Sequence, residues 1–109
     1  MKNRVLLSAC AVALLILQGC SAKPNVEVSV EPGPNKYVVS FYVRAKADEV
    51  TVKSVTINRG NCALSDSTQD STIKLKFGQS FQGWGICNLH DVKEIEVSTD
   101  AGAFTFSFN

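Results

Sequence analysis

From residue 26 onward, apolar and polar side chains alternate with a period of two. Val26, Val28 and Val30 are interleaved with Glu27, Ser29 and Glu31. Val39, Phe41, Val43 and Ala45 alternate with Ser40, Tyr42, Arg44 and Lys46. Ile73, Leu75 and Phe77 alternate with Lys74 and Lys76, and Ile95 and Val97 with Glu94, Glu96 and Ser98. Phe104, Phe106 and Phe108 alternate with Thr105 and Ser107, which puts three rings on one face and predicts core aromatics. Successive side chains of an extended strand point to opposite faces, so each run predicts a strand with one buried side. The run Val50, Val52, Val55, Ile57 changes parity in its middle. A β-bulge near Lys53-Ser54 restores a common inward face there.

The segments between these runs carry turn chemistry. Pro32-Gly33-Pro34-Asn35, the polar residues 46–49 and Asp100-Ala101-Gly102 each predict a turn. Residues 65–71 are Ser/Thr-rich and predict a loop; residues 78–85 are glycine-rich and read as irregular chain leading into Ile86 and Cys87. Six or seven short strands at such spacing predict an all-β domain over residues 26–109. The expected form is a small antiparallel two-sheet sandwich, immunoglobulin-like, with a small closed β-barrel as the alternative. The Cys-Trp-Cys spacing of immunoglobulin domains is missing, since Trp84 lies only three residues before Cys87.

The start of the chain follows another pattern. After Lys2 and Arg4, residues 5–17 form an apolar run of 13 residues in which Ser8 is the only hydroxyl. A bilayer-spanning helix needs about 20. Positive charges followed by a short apolar core predict a secretory signal. The run ends in Leu17-Gln18-Gly19-Cys20. This resembles the lipobox of bacterial lipoproteins, in which a Leu, a variable residue and a small residue precede a cysteine. The resemblance implies that the Cys20 thiol carries a diacylglycerol, that residues 1–19 are removed, and that the new amino terminus is acylated. Ser21, where an Asp would favour retention at the inner membrane, implies delivery to the outer membrane, with the domain on the periplasmic face. Residues 20–25 then form a lipidated cysteine and a short tether.

Removal of residues 1–19 leaves 90 residues, enough for one small domain with a thin core. Lys2 and Arg4 leave with the signal, so nine basic side chains face ten acidic ones, a net charge of −1. With no charge run beyond two residues, nothing points to nucleic acid as a partner. Of the four cysteines, Cys10 belongs to the leader and Cys20 to the lipid. Cys62 and Cys87 remain as an even pair in an oxidising compartment, which predicts a disulfide. The alternative is a metal site using Cys62, Cys87 and His90, for which a fourth ligand has no motif. No cofactor and no small-molecule substrate are expected.

Catalytic chemistry has little to stand on. His90 is the only histidine, and no Gly-x-Ser-x-Gly stretch surrounds any serine. Asp66 and Asp70 sit in the polar loop, where solvated turn residues are expected. The chain is therefore expected not to be an enzyme. Candidate partner-binding residues are Arg59, Phe81 and Trp84. Phe81 and Trp84 belong to the stretch Phe77 to Cys87, and a Cys62–Cys87 bond would bring Arg59 near it. The expected function is a non-enzymatic interaction module, an accessory or exclusion factor of an envelope machine such as a conjugation or secretion system. In size and anchor the chain is similar to small envelope lipoproteins of plasmids and phages. The alternative is a periplasmic inhibitor of the lysozyme-inhibitor type. In either case the membrane is reached through the amino-terminal lipid, and a protein of the envelope is the expected partner.

Overall fold

The computed structural model describes residues 23–65 and 72–108; the expected leader, Cys20, and Asp66 and Asp70 with the loop expected around them lie outside those residues. Eight strands are present among the described residues: β1 (Val26–Pro32), β2 (Val39–Ala45), β3 (Glu49–Ile57), β4 (Ala63–Leu64), β5 (Ile73–Lys76), β6 (Ser80–Ile86), β7 (Glu94–Thr99) and β8 (Gly102–Ser107). Two short 3-10 turns, Asn58–Gly60 and Leu89–Asp91, complete the elements. The strands form two four-stranded sheets, ordered β1-β2-β6-β4 and β5-β3-β7-β8. Every pairing is antiparallel.

The molecule is thus a two-sheet sandwich. The neighbour order β1-β2-β6 opposite β3-β7-β8 is that of strands A-B-E and C-F-G in immunoglobulin-type domains. β4 flanks β6 as D flanks E there. The additional strand β5 extends the other sheet beside β3.

The alternation read from the sequence becomes the core. Val26, Val39, Phe41, Val43 and Ala45 come from the first sheet, and Val50, Val52, Ile57, Leu75, Ile95 and Val97 from the second. All are buried, and each large aliphatic contributes about 1.5–3 kcal/mol by leaving water. β3 keeps its inward face through a register shift between Val52 and Ser54, where Val52 pairs Thr99 but Ser54 pairs Ser98. The extra residue is Lys53, which is exposed.

The two sheets are tied together at both ends. At one end the Thr99 hydroxyl, on β7, donates to Asn25 Oδ1 at 3.1 Å and accepts from the Ala101 N–H at 3.0 Å. Asp100 Oδ1 accepts from the Thr51 N–H at 3.2 Å. This satisfies the buried Thr99 and fixes the chain just before β1 to the β7–β8 turn. At the other end Cys62 forms a bridge with Ile57, the last residue of β3, and a disulfide with Cys87, next after β6. The disulfide spans a sequence separation of 25, with Cα atoms 5.7 Å apart.

Three local expectations are corrected. Residues 78–85 are not irregular: Ser80–Ile86 is a regular strand of seven residues at the centre of its sheet. Glycine weakens strands in general, but a strand tolerates it where something approaches closely. A Cβ on Gly85 would stand 2.8 Å from Ile57 Cδ1, 3.0 Å from Cys62 Sγ and 3.1 Å from Val39 Cγ1. Phe77 does not continue the inward row of Ile73 and Leu75. β5 stops at Lys76, and Phe77 enters a turn with 68 % of its surface exposed. The turn is closed by hydrogen bonds from Phe77 N–H to Asp48 O and from Gly78 N–H to Ala45 O. The two-residue strand β4 has no alternation to reveal it; it exists because Cys62 is held beside Cys87.

Two stability changes are expected. Gly85→Ala forces a methyl into a filled site and costs about 1–3 kcal/mol, seen as a lower urea midpoint with unchanged slope. Joint replacement of Cys62 and Cys87 by Ala costs roughly 3 kcal/mol in the chain-entropy account of loop closure. A loss below about 1 kcal/mol in the same titration would show that the bond does not restrain the unfolded chain as argued.

Candidate functional site

β6 decides which of the expected residues face outward. Its inward positions are Phe81, Gly83 and Gly85; its outward positions are Ser80, Gln82, Trp84 and Ile86. Phe81 packs against the core and meets the Phe41 ring edge-on, with centroids 6.2 Å apart and planes at 80°. It stabilises the sandwich as an aromatic pair. Trp84 has the opposite parity and is half-buried on the outer face of the first sheet. It does not pack into the core beside the disulfide, because Gly85 occupies that place.

The register builds a face around Trp84. Across the strands Glu31 lies opposite Ser40, and Ser40 opposite Trp84; in the next row Ser29 lies opposite Tyr42, and Tyr42 opposite Gln82. Ser40 is 2 % exposed although it points outward, so neighbouring side chains cover it. Gln82 Nε2 donates to Ser40 Oγ at 2.7 Å, and the Tyr42 hydroxyl donates to Glu31 Oε1 at 3.3 Å. These bonds hold Gln82 and Tyr42 in place beside Trp84. Ile86, two residues on, is 52 % exposed and lies opposite Ala63 of β4. Below this region a concavity of about 470 Å³ is lined by Glu27, Val28, Ser29, Tyr42, Arg44 and Ser80. Glu27 and Arg44 pair at 3.6 Å within it, both about half exposed.

Trp84, Tyr42 and Ile86 therefore form an aromatic and aliphatic group fixed on a sheet and ringed by polar side chains. Rigid anchors of this kind, with a polar surround, are what a protein partner can bury. Tyr42, Gln82 and Ile86 escape a reading that treats residues 78–85 as a loop. Once β6 is a strand, stepping by two from Trp84 finds Gln82 and Ile86, and the facing strand supplies Tyr42.

Arg59 stands elsewhere. It belongs to the turn Asn58–Gly60, in which Asn58, Arg59 and Gly60 have φ of 53°, 58° and 96°. Its guanidinium reaches Glu94 on β7, with Nε to Oε2 at 3.2 Å and Nη2 to Oε1 at 3.4 Å. The turn itself depends on Asn58. Its Oδ1 accepts from the N–H groups of Lys93 at 2.8 Å and Glu94 at 3.2 Å, and its Nδ2 donates to Asp91 O at 2.7 Å. Asn also adopts left-handed backbone more readily than most residues. The disulfide holds this turn at the end of the sandwich, and the pairing with Glu94 directs Arg59 toward the second sheet, away from the outer face of the first.

Both cysteines of the alternative metal set are consumed by the disulfide. His90 is exposed in the turn Leu89–Asp91, where its N–H is bonded by Asn88 Oδ1 at 2.8 Å. Among the described residues no group of three or more His, Cys, Asp or Glu side chains is gathered in metal-binding geometry. Comparison of the chain with family models, with curated proteins and with solved structures finds no match.

Asn58 and Arg59 should differ sharply on substitution. Asn58→Ala leaves the N–H groups of Lys93 and Glu94 without their acceptor and lowers stability by roughly 2 kcal/mol. Arg59→Ala removes an ion pair whose arginine side chain is 82 % exposed and changes stability by less than about 0.5 kcal/mol. Thermal unfolding of both variants at one pH makes the comparison; equal losses would place the turn's stability in the ion pair instead.

Proposed function

We propose that this chain is a lipid-anchored interaction module of the bacterial outer membrane, which holds a partner-binding sheet face close to the lipid surface and carries out no catalysis. The observation that carries the reading is the Leu17-Gln18-Gly19-Cys20 box at the end of a short apolar run, directly ahead of the folded domain. Only residues 21–25 separate Cys20 from β1. Fully extended they reach about 17 Å. Asn25, the last of them, is bonded to Thr99, so the tether joins the sandwich at the end that carries the β7–β8 turn.

Trp84 lies in the row of Glu31, five residues along β1 from Val26, or about 17 Å farther from that end. The aromatic group would then stand one strand length from the lipid, within reach of a protein embedded in the membrane or adjacent to it. Long acyl chains, each buried methylene contributing about 0.8 kcal/mol, make the anchoring effectively permanent. The module would serve as an accessory or exclusion factor in an envelope assembly such as a conjugation or secretion system.

The test has two arms in cells that produce the full chain. A clickable fatty acid is incorporated into the wild type, and Cys20→Ser abolishes both the label and recovery in the membrane pellet. A photo-cross-linking residue at Gln82 yields discrete adducts that fall at least several-fold on Trp84→Ala, whereas one at Thr56, on the outer face of the second sheet, yields none. Unlabelled wild type would refute the anchor. Adducts indifferent to Trp84 would refute the face.

A further inference from the structure

We infer that β8 is the seam of a symmetric homodimer, in which two copies pair antiparallel through this strand into one continuous eight-stranded sheet. The inference is independent of the lipid anchor.

A sheet margin presents unpaired N–H and C=O groups, and proteins protect such margins with charge, proline or brevity. Among the described residues this sandwich has four margins, and three are protected. β4 has two residues. β5 has four, two of them Lys74 and Lys76. β1 carries Glu27 and Glu31 and ends in Pro32. β8 is different: Gly102–Ser107 is six residues long, without a charged side chain, a proline or a bulge.

The hydrogen-bonding pattern shows which groups face out. Phe108 N–H donates to Lys93 O, across from it on the side of β7. Bonded and non-bonded pairs alternate along an antiparallel ladder. Phe106, Phe104 and Gly102 therefore bond inward to β7. Ala103, Thr105 and Ser107 direct their N–H and C=O groups to the open side. One antiparallel arrangement of two copies uses all of them: Thr105 opposite Thr105, and Ala103 opposite Ser107. The two-fold axis then passes through the Thr105 pair, as a self-complementary interface requires.

The side chains agree with this register. Ile95 and Val97 on β7 are fully buried, but their partners across the ladder, Phe106 and Phe104, are only half-buried. The apolar stripe is incomplete at the margin. In the dimer Phe104 of one copy lies opposite Phe106 of the other, at a non-hydrogen-bonded position where side chains approach closest and aromatic pairs stabilise sheets. Self-pairing of β8 brings no like charges together, whereas self-pairing of β1 would bring glutamates into one seam.

The test uses the full chain purified from whole-cell extracts in mild detergent, whether or not it is anchored. Thr105→Cys is expected to give a disulfide-linked dimer as the main band on a non-reducing gel, since the two thiols meet on the axis. Ser29→Cys, on the margin strand β1, should give none. Light scattering should return twice the chain mass for the wild type and the single mass for Thr105→Pro and Thr105→Lys. The proline removes only an outward N–H, so its circular dichroism should match the wild type; the lysine gives a second variant if the proline perturbs the strand. A monomeric wild type, a dimer that survives both substitutions, a polydisperse ladder or a cross-link to a different protein would each overturn the inference.

Discussion

Where Gly85 meets Ile57 and Cys62, there is no space for one further carbon. Ile57 ends the central strand of the second sheet, Gly85 lies near the end of the central strand of the first, and the Cys62–Cys87 bond runs between the turn after β3 and the end of β6. The sheets close on one another at this point only because β6 has no side chain there. Protein interiors are packed about as densely as organic crystals, so such a contact transmits its position to everything built on the same strands. The register of β6 sets Gly85 opposite Val39 of β2 on one side and Leu64 of β4 on the other.

That register has a consequence on the opposite surface. A strand turns alternate residues to opposite faces, so a glycine facing the core at position 85 turns Trp84 outward. The one strand thus closes the core with Phe81, Gly83 and Gly85 and presents Gln82, Trp84 and Ile86 outside. A slip of one residue would exchange the two sets, placing an indole against the disulfide and a phenyl ring in water. The disulfide and the outer aromatic group are two results of one constraint. Arg59, although only three positions before Cys62, is turned the other way by Asn58 and Glu94.

The two ends of the sandwich differ in chemistry. One is a polar clamp of Asn25, Thr51, Thr99 and Asp100, at the point where the chain arrives from its amino-terminal segment. The other is an apolar seam with the disulfide, Ile57 and Val39. The entry of the amino-terminal segment at the first and an aromatic group nearer the second give the domain a direction along its strands. The uncharged margin of β8 runs parallel to that direction on the second sheet, apart from the Trp84 face, so self-pairing there leaves that face open.

Much of the fold is legible in the order of residues. Alternating Val, Phe and Ile determine the faces of β1, β2, β3, β7 and β8, and the parity change at Val52 to Val55 determines the bulge. Cys62 and Cys87, the two cysteines that fall within the alternating region, determine the disulfide. These features are local: a period of two reports burial because each strand has one dry side. Tertiary structure alone decided the rest. Glycines at 83 and 85 lower strand propensity, and only the side chains packed above them explain a strand there. Phe77 fits the alternation but lies past the last ladder pair, where Asp48 and Ala45 draw the backbone into a turn. Trp84 and Phe81 look alike as aromatic anchors in sequence; what separates them is the side of the sheet each occupies, set by contacts with residues more than twenty positions away along the chain.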